Sequence, residues 1–354
     1  MSWRQTKPNM ARRVTRHTAK RLKTEEAIGL NPLINHGSDI LECIAPYLNA
    51  GELVNLALTS KHFGIRTGED QPSLMEEVVR QVIVNEQSEY EQSALPKYEN
   101  ESYLELYHHL LMLRKPLQFD QLLGKNLQYA NGDKTKVFVR PANNSTKTAV
   151  SNNIMRAGKH YVEISNDGRP GRHQQAGIMR PILGWNEKER EARGKATNHF
   201  APTYLKKAFS IELLATRTER WGDGDVNCCM YSYAMGHCHW SNWQQMGKSE
   251  GSSKSERWGG QESIGGLFGG GIEREPVLGL LLDLDEGTMT AYKNGRRLGV
   301  MKTGLTGEFV WAVSMESRDE IVSIRRAPIP ADYDPSENTV LPAADHWFDM
   351  AWLP

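Results

Sequence analysis

Five residues of types that bind metal ions lie close together in the middle of the chain: Cys228, Cys229, His237, Cys238 and His239. Thiolates and imidazoles are the usual ligands of structural zinc. Their spacing does not form two Cys-x-x-Cys pairs, however, and adjacent cysteines on a strand point to opposite faces. The pattern therefore favours packed thiols over a metal site, and we expect neither a metal ion nor another cofactor.

Other stretches suggest further chemistry that their spacing does not support. Residues 223–227 alternate oxygen ligands like a calcium loop, but Cys228 stands where the EF-hand needs glycine. Asp285 and Glu286 are adjacent, so their carboxylates would point apart rather than flank a glycosidic bond. The glycine-rich residues 265–271 have no Lys-Ser or Lys-Thr after them, which a phosphate-binding loop requires. We therefore expect no catalytic residues and no enzyme activity.

Tryptophan and arginine are frequent in the turn-rich middle of the chain. Both carry a large share of the binding energy at protein interfaces. Core burial is an equally good interpretation of each tryptophan alone, but as a set these residues are predicted to bind a target protein. The predicted target-binding residues are Arg169, Arg172, Trp185, Trp221, Trp240 and Trp243.

Length and charge limit the classes of function that remain. The chain has 354 residues, with 43 basic and 43 acidic side chains, which gives no field that would attract nucleic acid or anionic lipid. No apolar run reaches the roughly 18 residues of a membrane span. Four cysteines without a bridging pattern are typical of a reducing compartment. We expect a cytoplasmic or nuclear protein, or both, with no nucleic-acid or membrane partner.

The N-terminus is the exception to this charge balance, because eight basic residues precede the first acid, Glu25. Three interpretations remain open for residues 1–30: a solvated basic tail, a nuclear import signal, and an organelle-targeting peptide that is rich in Arg and Thr.

Residues 38–66 predict three short helices. Ser38 or Asp39 can cap the first, and Gly51 separates it from the second. The apolar residues at helical spacing are Ile40, Leu41, Ile44, Leu48, Leu53, Leu56 and, after the second helix, Phe63. Helices this short bury little surface by themselves. The segment is therefore either part of a larger core or a docking surface for another protein.

Residues 72–123 predict longer helices, with Pro96 between two apolar stripes and Pro116 after the second. Short strands with frequent turn residues follow, which predict an antiparallel β-sandwich. The predicted strands in this region are 137–139, 160–164, 176–178, 209–214 and 230–233. Residues 247–275 are rich in glycine and serine and predict a flexible insertion.

The stretch 277–324 carries the clearest pattern in the chain. An apolar strand (277–282) is followed by an acidic turn at Asp283, Asp285 and Glu286. A second strand then leads to Asn294-Gly295, the preferred dipeptide of a two-residue hairpin. This order of elements resembles the C-terminal half of a SPRY domain, and residues 155–164 are similar to an earlier part of it. The resemblance spans about 127–328 and implies a concanavalin-like sandwich that binds protein partners.

Residues 38–63 resemble an F-box. The family has a leucine-rich helix, a turn, a Leu-x-x-Leu-Ala helix, here Leu53 to Ala57, and a small-polar, basic and aromatic end. The Leu-Pro pair that usually opens the motif is absent, and Pro46 is expected to kink the first helix. The resemblance implies docking on a Skp1-like linker of a cullin ligase through Ile40, Leu41, Ile44, Leu48, Leu53, Leu56 and Phe63.

Together the two resemblances imply an α+β multidomain chain that acts as a substrate receptor of a cullin ubiquitin ligase. The expected domains are a basic tail (1–30), an F-box-like module (31–70), a helical linker (71–124), a SPRY sandwich (125–328) and a C-terminal tail (329–354) that could pack back on the sandwich. One alternative is a SPRY scaffold with no ligase link. Another is a sandwich that binds or hydrolyses carbohydrate.

Overall fold

The computed structural model describes residues 40, 43–59, 73–140, 145–167, 173–182, 185, 198–244, 254–260, 262–264, 276–316 and 321–337. The basic tail, much of the predicted insertion and the end of the C-terminal tail lie outside these residues, as do Leu41, Phe63, Arg169 and Arg172. The chain divides into two compact units, residues 1–86 and residues 87–354.

The described residues of the first unit include a 3-10 turn at Ala45–Tyr47 and the α-helices Ala50–Thr59 (α1) and Leu74–Glu86 (α2). The 3-10 turn has Pro46 in its first positions, so the interruption of the first predicted helix is confirmed. Asn49 and Glu52 exchange side-chain to backbone hydrogen bonds of 2.8 and 3.1 Å, which begin α1. The predicted apolar stripe of α2 is buried, including Val78, Val79, Val82 and Ile83.

The second unit begins with helices Glu89–Ala94 (α3) and Tyr103–Arg114 (α4). Ser88 and Ser102 cap them by accepting hydrogen bonds from backbone amides. Helix α4 ends before Pro116, as the sequence predicts. The Arg114 side chain in its last turn donates a hydrogen bond of 2.8 Å to the Glu91 carboxylate, which connects α4 to α3.

Two antiparallel seven-stranded sheets follow in the described part of the second unit. The strands are Phe119–Leu123 (β1), Leu127–Ala130 (β2), Asp133–Val139 (β3), Lys147–Ser151 (β4), Lys159–Asn166 (β5), Gln175–Met179 (β6), Cys228–Ser232 (β7), Cys238–Ser241 (β8), Lys254–Glu256 (β9), Val277–Asp283 (β10), Thr288–Lys293 (β11), Arg296–Lys302 (β12), Val310–Met315 (β13) and Ile321–Arg326 (β14). The first sheet has the order β1-β4-β13-β6-β7-β8-β9, and the second has the order β12-β11-β10-β5-β14-β3-β2. The predicted antiparallel sandwich is confirmed, and its first strand begins ahead of the expected start at residue 125.

The hairpin pattern of residues 277–302 is also confirmed. Strand β10 pairs with β11 and β5 and is buried from Leu278 to Asp283. The Asp283 carboxylate accepts hydrogen bonds from the amides of Asp285 and Glu286 at 3.0 and 3.1 Å, so these acids form a turn. Asn294 and Gly295 have φ angles of 50° and 78°, as a type I′ turn between β11 and β12 requires.

Buried side chains form three layers. The main core lies between the sheets and includes Val162, Leu280, Trp311 and Val313. A second cluster covers the other face of the first sheet and includes Phe200, Leu205, Leu213, Trp221 and Trp243. On the other face of the second sheet, Tyr333 packs against Tyr161 and Tyr292. The C-terminal segment as far as Tyr333 therefore packs back on the sandwich.

Two predictions about local structure are wrong. Residues 209–214 were expected to form a strand, but Lys207–Leu214 is an α-helix (α5) that buries Ser210 and Leu213. The spacing of these two residues is helical, and a short apolar run does not distinguish the two structures by itself. Part of the insertion predicted to be flexible is also ordered, because β9 pairs with β8 while Trp258 and Ile264 are buried.

Candidate interaction sites

The first unit exposes several large apolar side chains. Tyr47 is 87% exposed and Leu58 is 79% exposed, while Ile40, Ile44 and Val54 are exposed by about two fifths. Val54 and Leu58 are one turn apart on α1, so they share one side of the helix. We call these five residues the apolar face of the first unit. A surface of this kind on a small helical unit is typical of a protein-docking site.

The residues predicted to contact a linker protein occupy different environments. Ile40 and Ile44 belong to the apolar face, whereas Leu48 and Leu56 are half-buried. Leu53 is fully buried, so it holds α1 in place and offers no surface for contact. Sequence reasoning missed Tyr47, Val54 and Leu58, although the helical spacing of Val54 and Leu58 was a usable signal.

The predicted target-binding tryptophans are also divided by burial. Trp221 and Trp243 are 2% exposed and pack edge to face, with their ring centroids 5.8 Å apart. The Trp243 indole donates a hydrogen bond of 2.9 Å to the Pro202 carbonyl. This burial argues against direct target contact by either residue, and favours the core interpretation that the sequence left open.

Trp185 and Trp240 are half-buried and remain candidates for contact. The Trp240 ring has the ammonium groups of Lys302 and Lys254 at 3.9 and 4.6 Å from its centroid. These are cation–π distances, so the ring face is already occupied by the protein's own cations. Trp185 packs edge to face on Phe200, at 5.7 Å between centroids.

A cleft of about 340 Å³ lies between α4 and the first sheet. Helix α4 lines it with His108, His109 and Met112, and the strands contribute Asp120, Gln121 and Val310. We call it the α4 cleft. Its lining comes from segments that are far apart in the sequence, so no local sequence motif predicts the cleft.

An ion network lies beside the α4 cleft, and its members Arg220 and Glu308 line the cleft. Arg156 makes two contacts with the Glu101 carboxylate, at 2.8 and 2.7 Å, and its Nε lies 3.6 Å from Glu308. Arg220 bonds to Glu105 at 2.6 Å. The Arg156 contacts are closed to solvent, whereas the Arg220–Glu105 pair is partly exposed.

Burial dominates the electrostatics of the groups that line the α4 cleft. It lowers the pKa of His109 to about 3, so this imidazole is neutral at pH 7. Burial also raises the pKa of Asp120 and of Glu308, although the guanidinium groups of Arg156 and Arg220 partly oppose the shift at Glu308. The α4 cleft can therefore offer hydrogen-bonding groups and negative charge to a ligand.

Glu101, Glu105 and His109 bring potential metal-ligating atoms within 4.8 Å of one another. Their carboxylates are already bonded to Arg156 and Arg220, however. A metal ion would have to displace two guanidinium groups, so this arrangement is better explained as a structural ion network than as a metal centre.

The three cysteines of β7 and β8, in the first sheet, are packed thiols, as the sequence favours. Cys228 is buried in the cluster that covers the first sheet, whereas Cys229 faces the main core. The sulfur atoms of Cys229 and Cys238 are 3.6 Å apart. Burial raises the pKa of Cys228 to about 12, which keeps this thiol protonated and unreactive at pH 7.

None of the helices within the described ranges is long and apolar enough to cross a membrane.

The fold of the second unit is that of an antiparallel β-sandwich, and comparison with known proteins finds SPRY domains. The chain is similar to the SPRY domain of human HERC1, with 13% identity and a TM-score of 0.35 over 60% of this chain and 99% of that one. A human SPRY domain matches with 14% identity and a TM-score of 0.36 over 59% of this chain and 100% of that one. The TRIM65 PSpry domain matches with 13% identity and a TM-score of 0.33, covering 60% and 95%.

No family model matches this chain, and no curated protein does. Since the TM-scores are below 0.5, the assignment of the fold rests on the two sheets and their strand order. The three structures named above are all SPRY domains.

Proposed function

We propose that this chain is a non-catalytic adaptor, in which the helical unit docks on a Skp1-type linker of a cullin ubiquitin ligase and the SPRY-like sandwich holds the target protein. The adaptor would act in the cytoplasm, the nucleus or both. It would keep the target's lysines near a recruited ubiquitin-conjugating enzyme, and so act through effective concentration.

The observation that carries the proposal is the apolar face of the first unit, in a segment whose sequence resembles an F-box. Stable protein interfaces bury about 800 Å² per partner, with apolar anchors near their centre. Tyr47 and Leu58 are the most exposed apolar residues of this face. They are the expected anchors, while Leu53 supports α1 from within.

The linker interaction is tested with a double substitution on the exposed side of α1, Val54→Asp with Leu58→Asp. Full burial of a Val or Leu side chain contributes about 1.5–3 kcal/mol. Because Val54 is 42% exposed and Leu58 is 79% exposed, only part of each contribution is available, and its loss should weaken linker binding by at least about 10-fold. The measurement is a pull-down and a binding titration with a purified Skp1-type linker.

The matched control is Asn55→Asp, which adds a carboxylate at an exposed polar position of the same helix. It should leave linker binding unchanged, and circular dichroism should give the same helix content for both variants. Capture of the linker by the double variant at unchanged affinity would remove the ligase role. Replacement of Leu53 is a poor test, because it would unfold the unit itself.

The second candidate function is a SPRY-like scaffold without a ligase link. The sandwich supports the scaffold function and the ligase function equally, because only the first unit supports docking on a ligase linker. Affinity purification of the full chain separates the two functions: the ligase role requires a Skp1-type and a cullin subunit to co-purify, and the scaffold role does not.

A further inference from the structure

A second cavity of about 490 Å³ lies in the sandwich unit, between α3, the start of β5 and the chain that follows β14. Its walls are mainly apolar and aromatic. The main wall residues are Tyr90, Leu117, Tyr161, Trp311, Pro328 and Ile329. We call this cavity the Arg326 pocket, because Arg326 is the group that distinguishes it.

Arg326 is held in a fixed position at the end of β14. Its Nη1 donates hydrogen bonds to the carbonyls of Leu113 and Lys115, at 2.6 and 3.3 Å. Its Nη2 is covered by the surrounding chain and has no hydrogen-bond partner among the described residues. Arg326 therefore lines the cavity with other atoms, and a ligand there would meet the charge of the guanidinium group rather than the Nη2 donor.

The charge of Arg326 is also unbalanced within the part of the chain that the structure describes. The adjacent Arg325, by contrast, pairs with Glu163 and is 74% exposed in its side chain. Burial lowers the pKa of Arg326, and the nearby phenol of Tyr90 partly opposes this shift. Among the described residues, no carboxylate forms an ion pair with the guanidinium group.

The other ionisable groups of the pocket do not change this balance. The Lys159 ammonium lies 3.6 and 3.7 Å from the carboxylates of Asp283 and Asp285, which offset its charge. His160 is buried, and burial lowers its pKa to about 4, so it is neutral at pH 7. As far as the structure describes the chain, Arg326 is therefore the positive charge of the pocket that no carboxylate offsets.

We propose that the Arg326 pocket binds an acidic side chain of a partner peptide, with an aromatic or aliphatic side chain beside it in the peptide. A carboxylate would pair with the guanidinium group and neutralise its charge, an interaction that arginine favours. The neighbouring apolar side chain would fill the aromatic walls. The inference rests on target binding by the sandwich and is independent of linker docking by the first unit.

The test uses the full chain and two dipeptides of the same shape, N-acetyl-Glu-Phe-amide and N-acetyl-Gln-Phe-amide. Binding is measured by NMR titration, with the indole signal of Trp311 as the local reporter. A charge-assisted hydrogen bond contributes about 1.5–3 kcal/mol, so the Glu dipeptide should bind at least about 10-fold more tightly than the Gln dipeptide. Equal binding of the two peptides, or binding of neither, would overturn the proposal.

Two arginine variants provide the matched comparison. Arg326→Gln should abolish the preference for the Glu dipeptide, whereas Arg325→Gln should keep it, since Arg325 lies outside the pocket. Loss of the preference in Arg325→Gln would contradict the assignment. If Arg326→Gln does not fold, the comparison of the two dipeptides on the native chain still decides.

Sodium phosphate serves as a competing anion without an apolar group. Displacement of the Glu dipeptide by phosphate of equal affinity would identify a general anion site and overturn the assignment to a peptide. The titration concerns residues 90–329 and the linker pull-down concerns residues 40–59. Failure of one experiment is therefore distinguishable from failure of the other.

Discussion

Replacement of Arg156 by methionine tests the buried ion network beside the α4 cleft. The side chains of Arg156 and Glu101 have no solvent exposure, and that of Glu308 has 3%. Methionine retains much of the apolar stem but leaves two carboxylates buried without their cation. Removal of one partner of a buried pair typically costs about 3–5 kcal/mol, because the remaining charge is uncompensated.

For a domain of this size the free energy of unfolding should fall by that amount, and the melting temperature by about 6–20 °C. The assay is urea unfolding followed by tryptophan fluorescence, since the described tryptophans all lie in the second unit. A matched control is Lys136→Met, which breaks an exposed ion pair of 3.3 Å with Asp167. The control should cost less than about 1 kcal/mol.

A second substitution, Glu101→Gln, determines whether the stranded carboxylate is the cause. In the Arg156→Met background it removes one of the two uncompensated charges, so it should restore about 0.5–3 kcal/mol of stability. In the native background it should destabilise the protein. Simple additivity of the two substitutions, or a cost of Arg156→Met below that of Lys136→Met, would refute this account of the network.

Two further substitutions address packing and pH. Gly177→Ala should lower the free energy of unfolding by about 1–3 kcal/mol, because an added Cβ would lie 2.0 Å from the Cys229 carbonyl oxygen; an unchanged free energy of unfolding in urea would contradict the packing argument. His160 has its pKa lowered by burial from 6.5 to about 4, so the unfolded chain takes up this proton first. Stability from His160 is complete above pH 6.5 and is lost as the pH falls toward 4, at up to about 1.4 kcal/mol per pH unit. His160→Gln should therefore reduce the dependence of the urea-measured unfolding free energy on pH between 6.5 and 5. An unchanged pH dependence would show that protonation of His160 does not cause the loss of stability.

Local sequence signals predicted the parts of the fold that depend on backbone conformation. The turn at Asn294-Gly295 requires positive φ at both positions, which few residues adopt without cost. The buried strand β10, the end of α4 before Pro116 and the interruption at Pro46 have similarly local causes. The strand predicted at 209–214 failed because its apolar run was compatible with both structures.

Sites that depend on partners from distant segments could not be predicted in the same way. Tryptophan is common at binding surfaces, but Trp221 and Trp243 pack edge to face against each other and cover the first sheet. Leu53 and Leu58 are both leucines of one helix, yet Leu53 is buried and Leu58 is exposed. A residue's type gives its capacity for contact, and its neighbours in space decide whether that contact is internal.

The sequence by itself determined the class of fold, the principal hairpin and the division into a helical region and a sandwich. Periodicity and turn chemistry act over a few residues, so they can be read along the chain. Only the tertiary structure decided which tryptophans are buried, that Arg156 joins two distant glutamates, and that Arg326 faces an aromatic pocket without a carboxylate. Burial and charge balance depend on segments more than 200 residues apart, such as Arg326 and the carbonyl of Leu113, which are separated by 213 positions.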